Sequence, residues 1–79
     1  MEEFLKKIIE KIVSNDSKVR ISMFETDYEI QFNIEVDSQD FGRVIGKEGK
    51  TIKAATALLN LYSAINKIPK KKIILKTTE

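Results

Sequence analysis

The chain contains no cysteine, which excludes disulfide staples, thiolate metal sites and a thiol nucleophile. Histidine is absent too, removing the commonest metal ligand and the usual proton shuttle at neutral pH. No apolar run approaches the roughly 18 residues of a membrane-spanning helix. The opening Met1-Glu2-Glu3 lacks the basic and apolar regions of a secretory signal. These absences point to a cytoplasmic binding domain with no metal, no cofactor and no membrane partner. With 79 residues, one domain over 1–79 is expected, burying only roughly 60% of its unfolded surface.

The net charge of +2 hides a strong asymmetry. Residues 1–40 set five lysines and arginines against ten acidic residues, a balance of −5. Residues 41–79 carry Arg43 and eight lysines against Glu48 and Glu79 only, a balance of +7. One basic side suggests a polyanionic partner, although charged faces are commonly just solvated surface.

Hydrophobic periodicity orders the chain. Phe4, Leu5, Ile8, Ile9, Ile12 and Val13 recur at helical spacing from Glu2 to Ser14, and Ser14-Asn15-Asp16-Ser17 then breaks the helix. Val19, Ile21 and Met23, then Tyr28, Ile30, Phe32, Ile34 and Val36, alternate with polar residues as in strands having one wet face. Glu25-Thr26-Asp27 fits a hairpin connection. Asp37 and Ser38 can cap a short helix through Phe41, Val44 and Ile45. A longer helix runs from Lys50 until Pro69 ends its pattern, and a last strand spans Lys72 to Thr77.

The order is therefore α-β-β-α-α-β. Two helices between the second and third strands allow a parallel crossover, so an α+β fold with a three-stranded mixed sheet and helices on one face is expected. Its core should hold Phe4, Ile8, Ile12, Ile21, Ile30, Phe32, Ile34, Ile52, Leu59 and Tyr62.

The informative stretch lies between the last two helices. Gly46 and Gly49, three apart, permit a sharp turn and close approach of a ligand's backbone. The following helix begins there, and its free N–H groups suit a phosphate. Arg43, Lys47, Lys50 and Lys53 sit on or beside the turn, with Val44 and Ile45 as an apolar floor. Glu48 places one negative charge inside it and should lower affinity modestly.

The run Val44-Ile45-Gly46-Lys47-Glu48-Gly49-Lys50-Thr51-Ile52-Lys53 resembles the V-I-G-x-x-G-x-x-I core of a KH domain, whose GXXG loop clamps single-stranded nucleic acid. The element order matches the type II topology, and the length resembles the small single-KH RNA-binding proteins of the bacterial KhpA family. The resemblance covers nearly the whole chain. It implies a single KH domain with its GXXG loop at 46–49 that binds single-stranded RNA through Arg43, Val44, Ile45, Gly46, Lys47, Glu48, Gly49, Lys50 and Lys53. It further implies an RNA chaperone or post-transcriptional regulator linked to cell-wall and cell-shape control. The implied partner is a second copy or a KhpB-like KH protein.

Other readings fit less well. Gly49-Lys50-Thr51 imitates the end of a Walker A loop, but Val44 stands where that motif needs glycine. A helix-turn-helix DNA reader also joins two helices by a glycine turn, yet few base-reading side chains beyond Lys53, Thr56 and Asn60 follow here. An aromatic stacking platform is not expected, because Tyr28 and Phe32 fall in the core pattern. Lys70-Lys71-Lys72 can grip phosphate, but a solvated strand start is the favoured reading. No catalytic carrier is recognisable, so no enzymatic activity is expected. Finally, the long helix is apolar around more than one stripe. Ala54, Ala57, Leu58, Leu61 and Ile65 are left over as a dimer interface, so a KH-fold assembly module is the alternative to an RNA binder.

Overall fold

The computed structural model describes residues 1–78. Its elements are α1 (Glu2–Glu10), β1 (Arg20–Glu25), β2 (Glu29–Glu35), α2 (Phe41–Ile45), α3 (Lys50–Ile65) and β3 (Lys72–Thr78), with short 3-10 turns at Asp16–Lys18, Ser38–Asp40 and Lys47–Gly49. The sheet order is β1-β2-β3, antiparallel on the β1 side of β2 and parallel on the β3 side. Helices α2 and α3 form the crossover that makes the parallel pair possible. The result is the α+β, type II KH arrangement, with the helices on one face of the sheet.

Burial follows the alternation in β2, where Ile30, Phe32 and Ile34 face the helices and Gln31 and Asn33 face away. Leu5 and Ile9 of α1, Val44 of α2 and Leu59 of α3 complete the fully buried centre. Each contributes roughly 1.5–3 kcal/mol of transfer free energy. The core stripe on α1 thus lies one residue over from Phe4 and Ile8. Helical periodicity fixes the width of an apolar stripe, whereas the sheet chooses its centre. Phe4 is half-buried and stacks on Tyr62 at 4.6 Å between ring centroids, joining α1 to α3. Ile12, Ile21 and Ile52 pack partly buried around the cluster.

Two segments depart from the expected pattern. Helix α1 stops at Glu10 rather than Ser14 and closes in a tight turn, with the Ile12 N–H donating to Ile9 O at 2.9 Å. The reason lies across the molecule: the Asp40 carboxylate accepts the N–H groups of Ser14 (2.9 Å) and Asn15 (3.1 Å), drawing the chain off the helical path. The second departure is Tyr28, which is 83% exposed rather than in the core. Thr26 Oγ1 accepts the N–H groups of Tyr28 (3.2 Å) and Glu29 (3.1 Å), so Tyr28 belongs to the hairpin turn and not to β2. Met23 is also exposed, because only the start of the edge strand β1 is shielded. Asp37 caps as expected, accepting the Gln39 N–H at 2.9 Å.

Candidate nucleic-acid interface

Helix α2 ends at Gly46, whose φ of 76° and ψ of 170° are essentially reserved for glycine. The Gly46 N–H donates to Gly42 O at 2.8 Å, and Gly46 O accepts the Gly49 N–H at 3.1 Å. Glu48 (φ 56°) and Gly49 (φ 72°) are both left-handed, which folds the chain back into the first turn of α3. Thr51 packs directly on Gly46: a Cβ there would lie 2.8 Å from the Thr51 nitrogen and 2.9 Å from its Cβ. Gly49 has more room, its nearest neighbour being Lys53 Cε at 3.9 Å, so the Lys53 side chain lies back along the turn.

This geometry gathers most of the expected residues at one edge. Lys47, Glu48, Lys50 and Lys53 are exposed there, and Ile45 is half-buried beside them. Among the described residues, no side chain caps the N-terminus of α3, and Lys47, Lys50 and Lys53 have no ion-pair partner. Such an edge presents three free ammonium groups around a small apolar ledge, a combination suited to a sugar-phosphate chain, while the Gly49 and Lys50 N–H groups are already bonded to Gly46 O and Lys47 O. Two expected residues play different parts. Val44 is fully buried, so it anchors α2 in the core and only Ile45 is left as an accessible floor. Arg43 is already engaged, donating to Ser14 Oγ at 2.6 Å and standing 3.7 Å from Asp40.

Asp40 was not singled out by the sequence, yet it organises this side of the site. Its carboxylate is 1% exposed and is bound by the Ser14 and Asn15 N–H groups and by Arg43. The Ser14 N–H is the main cause of a pKa held below the usual 3.8; Asn15, the Ser14 hydroxyl and Arg43 add to it, and burial opposes it. Stability from this group is therefore present above pH 3.8 and is lost as pH falls through the lower folded value. Asp40→Asn cannot accept both N–H groups equally and is expected to melt about 5 °C or more below wild type at pH 7. Melting curves of the two proteins should converge below pH 3.8; a constant gap at all pH values would contradict the assignment.

The other basic run splits. Lys71 Nζ donates to Glu25 Oε2 (2.7 Å) and to Thr26 O (2.8 Å), clipping the start of β3 to the hairpin, while Lys70 and Lys72 are exposed. On α3, Ala55, Leu59 and Ser63 face inward. Ala54, Ala57, Leu58, Leu61 and Ile65 are all exposed, Ile65 at 69%, and form one apolar strip away from the core.

Known proteins resemble this chain over most of its length. The family model described as KhpA/KhpB, KH domain matches residues 2–76. RNA-binding protein KhpA of Chlamydia pneumoniae is 38% identical over 68 residues, covering 86% of this chain and 87% of that protein. The protein of the same name from Thermotoga maritima is 38% identical over 60 residues, 76% of this chain and 80% of its own length. That of Listeria monocytogenes is 35% identical over 66 residues, 84% and 87% respectively. Among solved structures, Era in complex with MgGDPNP and nucleotides 1506–1542 of 16S ribosomal RNA superposes with a TM-score of 0.73 at 16% identity. That match covers 98% of this chain and 30% of the Era chain, and it shows a shared fold.

Proposed function

This chain belongs to the KhpA/KhpB KH-domain family, and from that premise we propose that it binds single-stranded RNA through the turn Gly46–Gly49. The observation that carries the reading is the turn itself. Two positive-φ glycines bring the uncapped start of α3 together with the exposed Lys47, Lys50 and Lys53. A phosphodiester backbone can approach Gly49, where the space a Cβ would take is open, whereas the missing Cβ of Gly46 makes room for Thr51. Lys47, Lys50 and Lys53, with the N–H groups not already bonded within the turn, then take the phosphates, and Ile45 supports one base or sugar. About four nucleotides fill such a clamp, so affinity per site is weak and sequence preference loose. Residues 1–79 act as one RNA-binding unit in this reading. RNA-binding KH proteins are not a class of enzymes, and the protein acts by holding RNA. In the same reading the protein serves in the cytoplasm as an RNA chaperone or post-transcriptional regulator linked to cell-wall and cell-shape control, a part supported by the family resemblance alone. Among the described residues, no helix is long and apolar enough to cross a membrane.

The exposed strip on α3 supports a further part of the reading, pairing with a second copy or with a KhpB-like KH protein. Small Ala54 and Ala57 let two helices approach, and Leu58, Leu61 and Ile65 supply apolar area. Two weak clamps on one dimer raise effective concentration and convert loose single-site binding into avidity. Leu61→Glu is therefore expected to sediment as a monomer. It should bind long RNA about tenfold or more weakly and a tetranucleotide as before. A wild-type protein that stays monomeric at high micromolar concentration and pairs with no KH protein overturns the pairing. Direct binding of the isolated chain to diverse single-stranded RNAs at low salt tests the main claim. Failure to bind any of them would leave the fold as an assembly module whose partner carries the RNA.

A further inference from the structure

Phe24 has no part in the clamp. It is 65% exposed in the edge strand β1, on the sheet face opposite the helices. Register places it beside Gln31 of β2, and Gln31 beside the half-buried Ile74 of β3. Alternation puts Lys72 and Lys76 on the same face, flanking Ile74, and Asn33 next to Lys76. Gln31 Nε2 donates to Asn33 Oδ1 at 3.1 Å, and among the described residues the Gln31 side-chain carbonyl and the Asn33 amide hydrogens have no other partner.

A single exposed phenylalanine is ordinary. The surrounding pattern is less so: one aromatic ring, one aliphatic side chain, a pre-bonded amide pair and two lysines within a few strand spacings, about 5 Å each. Charge selects the occupant. Glu35 is paired with Arg20 at 3.8 Å, and Glu29 stands opposite Lys72 in the register. Lys76 has only Asn33 opposite it, so the face keeps an uncompensated positive charge. A protein partner would have to bury the amides and Lys76 to reach the ring. A single RNA strand uses all of them, stacking a base on Phe24, presenting base edges to Gln31 and Asn33, and placing phosphates near Lys72 and Lys76.

We propose that the open sheet face around Phe24 is a second single-stranded RNA contact, engaged by RNA that continues beyond the Gly46–Gly49 clamp. The proposal rests on the clamp reading, since the short strand segment on the sheet is held only after the turn has captured the RNA. The molecule measures 21 by 18 Å across its shorter axes, so an RNA of moderate length can pass from the helical side around to the sheet.

The test compares a tetranucleotide with an RNA of about 16 nucleotides on wild type, Phe24→Ala and Lys76→Glu. Phe24→Ala is expected to weaken the longer RNA about five- to hundredfold and to leave the tetranucleotide, the melting temperature and the sedimentation behaviour unchanged. Lys76→Glu should weaken the longer RNA in the same selective way. In wild type, the side-chain amide signals of Gln31 and Asn33 should shift on adding the longer RNA and stay put with the tetranucleotide. Unchanged affinity of both variants for the longer RNA, with wild type binding both RNAs, overturns the sheet contact and leaves the clamp standing. Wild type binding neither RNA overturns both.

Discussion

Lys47→Asp combined with Glu48→Asp is expected to lower affinity for single-stranded RNA at least about tenfold while leaving the fold intact. The loss of one ammonium and the gain of one carboxylate reverse the charge at the position nearest the phosphates, and about 1.4 kcal/mol corresponds to that factor. The structure explains why folding should survive. Both side chains are exposed, and Glu48 already holds a left-handed φ of 56°, a region that aspartate enters more readily than glutamate. Circular dichroism and melting should match wild type. Retained RNA affinity in the folded variant would remove the turn from the binding site.

Gly46→Ala is expected to have the largest effect on stability of any change at the turn. Its φ of 76° and ψ of 170° already cost a Cβ-bearing residue roughly 1–3 kcal/mol. The new methyl would also meet the Thr51 backbone nitrogen at 2.8 Å, and that atom belongs to α3 and cannot move alone. Together these predict a melting temperature about 8–16 °C lower, from at least about 2 kcal/mol. Gly49→Ala provides the contrast. Its φ of 72° and ψ of 17° are left-handed, and the nearest atom is the mobile end of Lys53 at 3.9 Å. About 1 kcal/mol is expected there. Equal melting temperatures for the two alanine variants would mean that Thr51 does not pack on Gly46 as described.

The contrast between these glycines shows where sequence reading succeeds. Gly46 and Gly49 announce a turn because few residues enter those conformations, and the lysines around them are visible as charge. Element order was legible for the same reason: period-2 and helical patterns are local. The centre of the α1 stripe was not, since Phe4, Leu5, Ile8 and Ile9 satisfy the helical period equally and only the sheet decides that Leu5 and Ile9 are covered. Asp40 escaped notice because its partners, Ser14 and Asn15, lie 26 and 25 residues away in the chain. Arg43 is expected on or beside the turn for that reason, whereas its guanidinium is bound to Ser14 and Asp40. Tyr28 continued the alternation of β2, yet one hydroxyl, Thr26 Oγ1, moved it into the turn.

The measurement that bears most directly on the central claim is a titration of the isotope-labelled protein with a single-stranded RNA tetranucleotide, followed by backbone amide signals. Binding through the turn predicts that the amides of Gly46, Lys47, Glu48, Gly49, Lys50 and Thr51 shift most, with smaller changes at Ile45 and Lys53 and none at the exposed strip of α3. Saturable shifts confined to other surfaces, or no shifts at low salt, would contradict it.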